Sequence, residues 1–162
     1  MVMDTSLLYV DGIFKTNTSL LKKATDDIRP EHWVLKPGDA SNHLLWVTGH
    51  LIASRGGVLK ALGADWSSPW GSLFARGATP VPPDQYPSVK EIRSAWADVS
   101  ARLESAVAQA PTEVLAKPAP EGRRSIDGKV GGHVAFLAYH ETYHVGQVCY
   151  LRKWLGYGNA VG

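Results

Sequence analysis

From Val130 to Leu155 the chain carries an apolar stripe at helical spacing. Val130, Val134, Leu137, Glu141, His144, Val148, Leu151 and Leu155 fall on a three-four alternation. Such a stripe needs other helices to cover it. It predicts a helix opening near Asp127 to Lys129, continuing to Leu155 and stopping at Gly156. Two polar residues, Glu141 and His144, interrupt the inward face. A polar side chain where the pattern asks for an apolar one marks a candidate functional position.

Three further segments read as helices. Leu7, Val10, Phe14, Leu21 and Ile28 recur at helical spacing in a first helix that ends before Pro30. Ser41 or Asn42 can cap a second, which runs through LLWVTGHLIASRGGVLKAL and stops at Gly63. The third opens on Ser88-Val-Lys-Glu91, a capping-box pattern, and closes before Pro111. No segment shows competing strand alternation, so the expected fold is all-α, a four-helix bundle in a single domain over residues 1–162. Residues 64–87 are rich in Pro, Gly and Ser and can run the full length of a bundle. That allows helices two and three to lie parallel across a long crossover, with Trp66 and Trp70 over the core.

Composition narrows the function. A formal charge of +2, with scattered Lys and Arg, argues against nucleic acid as a partner, and Arg123-Arg124 reads as a solvated loop. The one cysteine, Cys149, permits no internal disulfide and reads as buried filler. The N-terminus lacks the pattern of a signal peptide, and no apolar run approaches the roughly 20 residues of a membrane span. Membrane association is therefore not expected, and a cytoplasmic location follows by elimination.

The histidines carry the chemistry. His140 and His144 lie one turn apart, about 40° around the helix, where two imidazoles can chelate one ion. The letters HETYH also match a zinc-protease helix, but no Asp, Glu or His follows His144 to supply the third ligand. A di-iron site fails as well, because Glu141-Thr-Tyr-His144 has no second Glu-x-x-His partner. His50, in WVTGHLIAS, shares a face with Trp46, Val47, Ala53, Ser54 and Gly57, whose small side chains leave space beside it. A bundle interior that collects His50, His140 and His144 forms a three-histidine metal site. A core histidine satisfied by a neighbouring hydroxyl or carbonyl is the alternative for His50.

His43 and His133 lie about 10 Å along their helices from the proposed ion and read as helix-end or packing residues. His32 is expected at the surface. Gln147 can orient an imidazole or make an interhelical hydrogen bond. Glu141 can accept a proton near the metal or pair with a basic side chain elsewhere in the bundle. No catalytic acid or base is assigned.

Trp46-Val-Thr-Gly-His50 and His140-Glu-Thr-Tyr-His144-Val-Gly-Gln147 resemble the two motifs of the DinB/YfiT superfamily of metalloenzymes. The resemblance extends to the helix spacing, the long connection after helix two and Trp96 in helix three. It implies a four-helix bundle with a crossover between helices two and three, and a divalent ion, nickel or zinc, on His50, His140 and His144. It also implies a metal-dependent transferase or hydrolase acting on a small-molecule substrate, with a low-molecular-weight thiol as the expected partner. A non-catalytic bundle with a structural metal, or a stress-response module, is the rival. Position 145, often basic in relatives, is Val145 here, so no anion contact transfers to it. Apolar surface around Trp66 and Trp70 would favour a homodimer.

Overall fold

The computed structural model describes residues 3–161, and every regular element among them is helical. The long helices are α1 (Leu8–Thr25), α2 (Leu44–Ala61), α3 (Val89–Ala108) and α5 (Val130–Trp154), with a single turn, α4 (Thr112–Leu115), between the last two. None is long and apolar enough to cross a membrane. The capping box at Ser88 and Glu91 forms in both directions, so α3 starts where its sequence says. Helix α2 starts differently. Its cap is neither Ser41 nor Asn42 but His43, whose Nδ1 accepts the Trp46 N–H at 3.1 Å. The α4 turn carries no apolar periodicity of its own and was not anticipated.

Two apolar clusters fix the helix directions. One joins Leu21, Leu44, Leu51, Ile92, Val99 and Val148; the other joins Phe14, Val58, Leu103, Val107 and Val134. This membership requires α2 and α3 to run in one direction and α1 and α5 in the other. The crossover that makes α2 and α3 parallel lies down on glycines of α2. A Cβ at Gly49 would stand 2.5 Å from the Phe74 ring, and one at Gly56 would stand 2.4 Å from Trp66. Trp66 and Trp70 accordingly pack against the core rather than forming an exposed apolar patch.

Between the clusters lies a polar layer. Arg55 and Glu141, each with its side chain 1% exposed, form a two-pronged pair, Nε–Oε2 at 2.7 Å and Nη2–Oε1 at 2.8 Å. Further contacts run from Nη1 to Ser100 Oγ on α3, and from Nη2 to Thr18 Oγ1 and the Phe14 carbonyl on α1. The Trp96 ring lies 3.8 Å from Arg55 Cζ, adding a cation–π contact. One side chain thus touches all four long helices. Asn17 and Thr142 extend the layer with a 3.0 Å bond between α1 and α5. Desolvating such a pair is costly, and only full hydrogen bonding offsets the cost. Glu141 therefore takes the structural role that the sequence left open, facing Arg55 rather than accepting a proton near the histidines.

Two tests follow from this packing. Glu141→Ala strands a buried guanidinium and should cost about 3–5 kcal/mol in urea denaturation. The double change Arg55→Met with Glu141→Leu should recover much of that loss, since it removes both charges. The second test concerns the His43 cap. Burial, aided by the Lys36 charge, pushes the His43 imidazole from 6.5 to about 4. Its stabilisation is present above pH 6.5 and is lost as pH falls towards about 4, because the unfolded chain binds the proton first. His43→Asn keeps a cap acceptor, so it should remove up to one proton from the acid-side slope of stability against pH.

Candidate metal centre

Three elements meet at the site: α2 brings His50, α5 brings His140, His144 and Gln147, and the crossover brings the Phe74 carbonyl. His140 and His144 stand on consecutive turns of α5, so the helix itself sets their spacing. Their Nε2 atoms are 3.1 Å apart, and His50 Nε2 lies 3.4 Å from His140 Nε2. His50 thus turns towards the α5 pair. These three residues form the one group of potential ligands that lies together among the described residues, and no carboxylate joins it.

The separations suit a metal ion. Imidazole nitrogens bound at about 2.0–2.1 Å lie about 2.9–3.4 Å apart for angles between octahedral and tetrahedral. Tautomers supply a second test of fit. His50 Nδ1 is 2.8 Å from the Phe74 carbonyl, which can only accept, so Nδ1 carries the hydrogen and Nε2 presents a lone pair. His144 Nδ1 is 2.7 Å from Gln147 Oε1, with the same consequence. Gln147 is itself held by the Tyr143 hydroxyl at 3.3 Å. Two lone pairs therefore converge on one point, an arrangement suited to a cation. His140 differs, because its buried Nδ1 has no partner. The donor set and its supports match those of a bound divalent ion.

Aromatic rings flank the cluster. Trp46 stacks on His50 at 5.0 Å between centroids and an interplanar angle of 6°, and Phe136 lies against His140 at 6.4 Å and 27°. Burial pushes His140 down to about 4, assisted by the His144, His50 and Arg76 charges. It lowers His50 and His144 too, opposed by the Phe74 carbonyl at the first and by Gln147 at the second. All three rings are consequently neutral at pH 7, the state in which imidazole binds metal.

The other candidates fall elsewhere. His43 is the α2 cap, and His133 is buried with its Nδ1 on the Arg124 carbonyl at 2.6 Å. His32 is half-buried rather than on the surface, bonded to the Tyr157 hydroxyl at 2.9 Å and to Arg29. Cys149 is a free, half-buried thiol against the core. Ala53 and Ser54 are half-buried beside the polar layer, and Gly57 is exposed with open space around it. Sequence reasoning missed the Phe74 carbonyl, since a backbone acceptor leaves no side-chain pattern. The nearest signal was Gly49, the residue before His50, which admits the Phe74 ring.

The comparisons bear on this geometry from outside it. No curated protein and no solved structure matches the chain. A family model does match, over residues 13–148, a span that includes His50, His140, His144, Gln147 and the whole crossover. Carrying that match over most of its length, the chain belongs to the DinB superfamily.

Proposed function

We propose that this protein is a metal-dependent enzyme acting on a small molecule, with a divalent ion, nickel or zinc, on His50, His140 and His144. The observation that carries the reading is the pair of Nε2 lone pairs fixed on one point by the Phe74 carbonyl and Gln147. Three imidazoles leave coordination positions open, as catalytic rather than structural sites do. An ion bound there supplies Lewis acidity, which lowers the pKa of a thiol or water beside it. The chain's own residues do the positioning. Phe74 and Gln147 hold two rings in register, while Trp46 and Phe136 shield the flanks from water.

Thiol transfer is favoured over hydrolysis by what Glu141 does. It is committed to Arg55, and no other carboxylate stands in the cluster to serve as a general base. A thiol, ionising near pH 8.5 unaided, needs far less help than water to become a nucleophile. The partner proposed is accordingly a low-molecular-weight thiol. A purely structural metal clip is disfavoured, because Arg55 and Glu141 already join α2 to α5 without an ion.

Protein made without a histidine tag should retain or take up stoichiometric divalent metal, and its cobalt form should change its visible spectrum when a thiol is added. A cobalt spectrum indifferent to thiols would mean a closed site and sink the enzyme reading. His144→Ala should abolish metal uptake yet melt close to the parent protein, whereas a clip would make the variant collapse. Gln147→Ala, read by competition with a chelator, should weaken metal binding by about 10–100-fold with little change in melting temperature.

A further inference from the structure

Helix α5 carries apolar residues on two sides. Val134, Val145 and Val148 are buried against the core, while Tyr139, Tyr143 and Tyr150 stand exposed on the outer side. A helix apolar on both sides is ordinarily covered on both. Helix α1 lies beside α5, joined to it by the Asn17–Thr142 bond, and repeats the pattern. Tyr9, Ile13, Thr16 and Leu20 on α1 and Tyr139, Tyr143, Gly146 and Tyr150 on α5 share one four-three-four spacing. At that spacing a seam of side chains meets another helix. None of the eight is charged. Exposed apolar side chains elsewhere occur singly, as Leu35 and Ile126 do in loops.

A glycine inside the seam points the same way. A Cβ at Gly146 would meet no atom within 4 Å, so nothing within one copy of the chain requires a glycine there. Glycine nevertheless costs a helix about 0.5–1 kcal/mol relative to alanine, and what it permits is close approach of another backbone. The area is also sufficient. Six side chains on this face, Tyr9, Ile13, Tyr139, Tyr143, Tyr150 and Trp154, are 40% to 82% exposed. At about 200 Å² for a whole side chain of this class, they present roughly 700 Å², close to the roughly 800 Å² that each partner of a stable pair buries.

We propose that the α1–α5 face binds a second copy of this chain, as a two-fold dimer in which the α1 seam of each copy lies against the α5 seam of the other. Two features select a copy over a foreign partner. The seams match in length and spacing, so one two-fold operation satisfies both at once. They also hold no charge by which a different partner would be chosen. The bulky tyrosines of α5 then meet the smaller Ile13, Thr16 and Leu20 of α1. Trp66 and Trp70, packed on the core of their own copy, take no part. Tyr143 also holds Gln147, so the interface borders the histidine cluster without depending on an ion there.

Sedimentation equilibrium of the full chain, made without a tag, tests this. The mass should be near twice 17.6 kDa at about 50 µM, with monomer appearing on dilution. Raised salt should leave the association in place, as an uncharged interface requires. Tyr139→Glu with Tyr150→Glu should weaken it at least about hundredfold. Helical content by circular dichroism should not change, since both side chains are exposed. Gly146→Leu should also weaken it, because the added side chain has room in one copy and none between two. A parent chain that stays monomeric at that concentration overturns the proposal. So does a dimer that survives either variant unweakened, since it would use another face. Binding of the monomer to neutral phosphatidylcholine vesicles would assign the tyrosines to a membrane surface and overturn the choice of a second copy.

Discussion

The Arg55–Glu141 pair is the constraint around which the bundle is arranged. Apolar packing alone permits helices to slide and rotate, because one aliphatic surface fits another in several registers. A buried guanidinium with five donors to satisfy does not permit it. Arg55 finds its partners on α1, α3 and α5 at once, and a slip of any one helix would leave a charge or a donor without an acceptor deep in the protein. The two apolar clusters on either side supply the driving force for collapse. The layer between them selects which collapsed arrangement is kept.

That selection reaches the histidines directly. Arg55 follows His50 on α2 by little more than a turn, and Glu141 is the immediate neighbour of His140. Fixing the pair in register therefore fixes the approach of the α2 imidazole to the two on α5. Side-chain orientation is set separately, by the Phe74 carbonyl and by Gln147. Helix register is thus held from within the bundle and ring rotation from its edge. The DinB superfamily match, over residues 13–148, spans all three histidines.

Much of this was legible in the chain. The α5 stripe, the Ser88 box and the spacing of His140 and His144 are local signals, each written within a few residues. His50 was legible because small residues and Trp46 surround it on its own helix. Arg55 was not, since a lone arginine in a helix ordinarily reads as a solvated residue and its partners lie 37 to 86 positions away. The polar interruption at Glu141 was the visible half of that pair. The His43 cap was obscured because Ser41 and Asn42, stronger capping residues, stand just before it. Phe74 escaped because what it contributes is a carbonyl oxygen common to every residue.

The three rings are unequally braced. His50 and His144 each have a fixed hydrogen on Nδ1, whereas the buried Nδ1 of His140 faces no acceptor. A neutral His140 can place its hydrogen on Nε2 and donate it to a neighbouring ring. Were His140 Nε2 to hold an ion, that hydrogen would have to sit on the unsupported Nδ1, at a cost on the order of 1–3 kcal/mol. Of the three imidazoles, His140 would therefore be the one whose metal-binding tautomer the protein supports least.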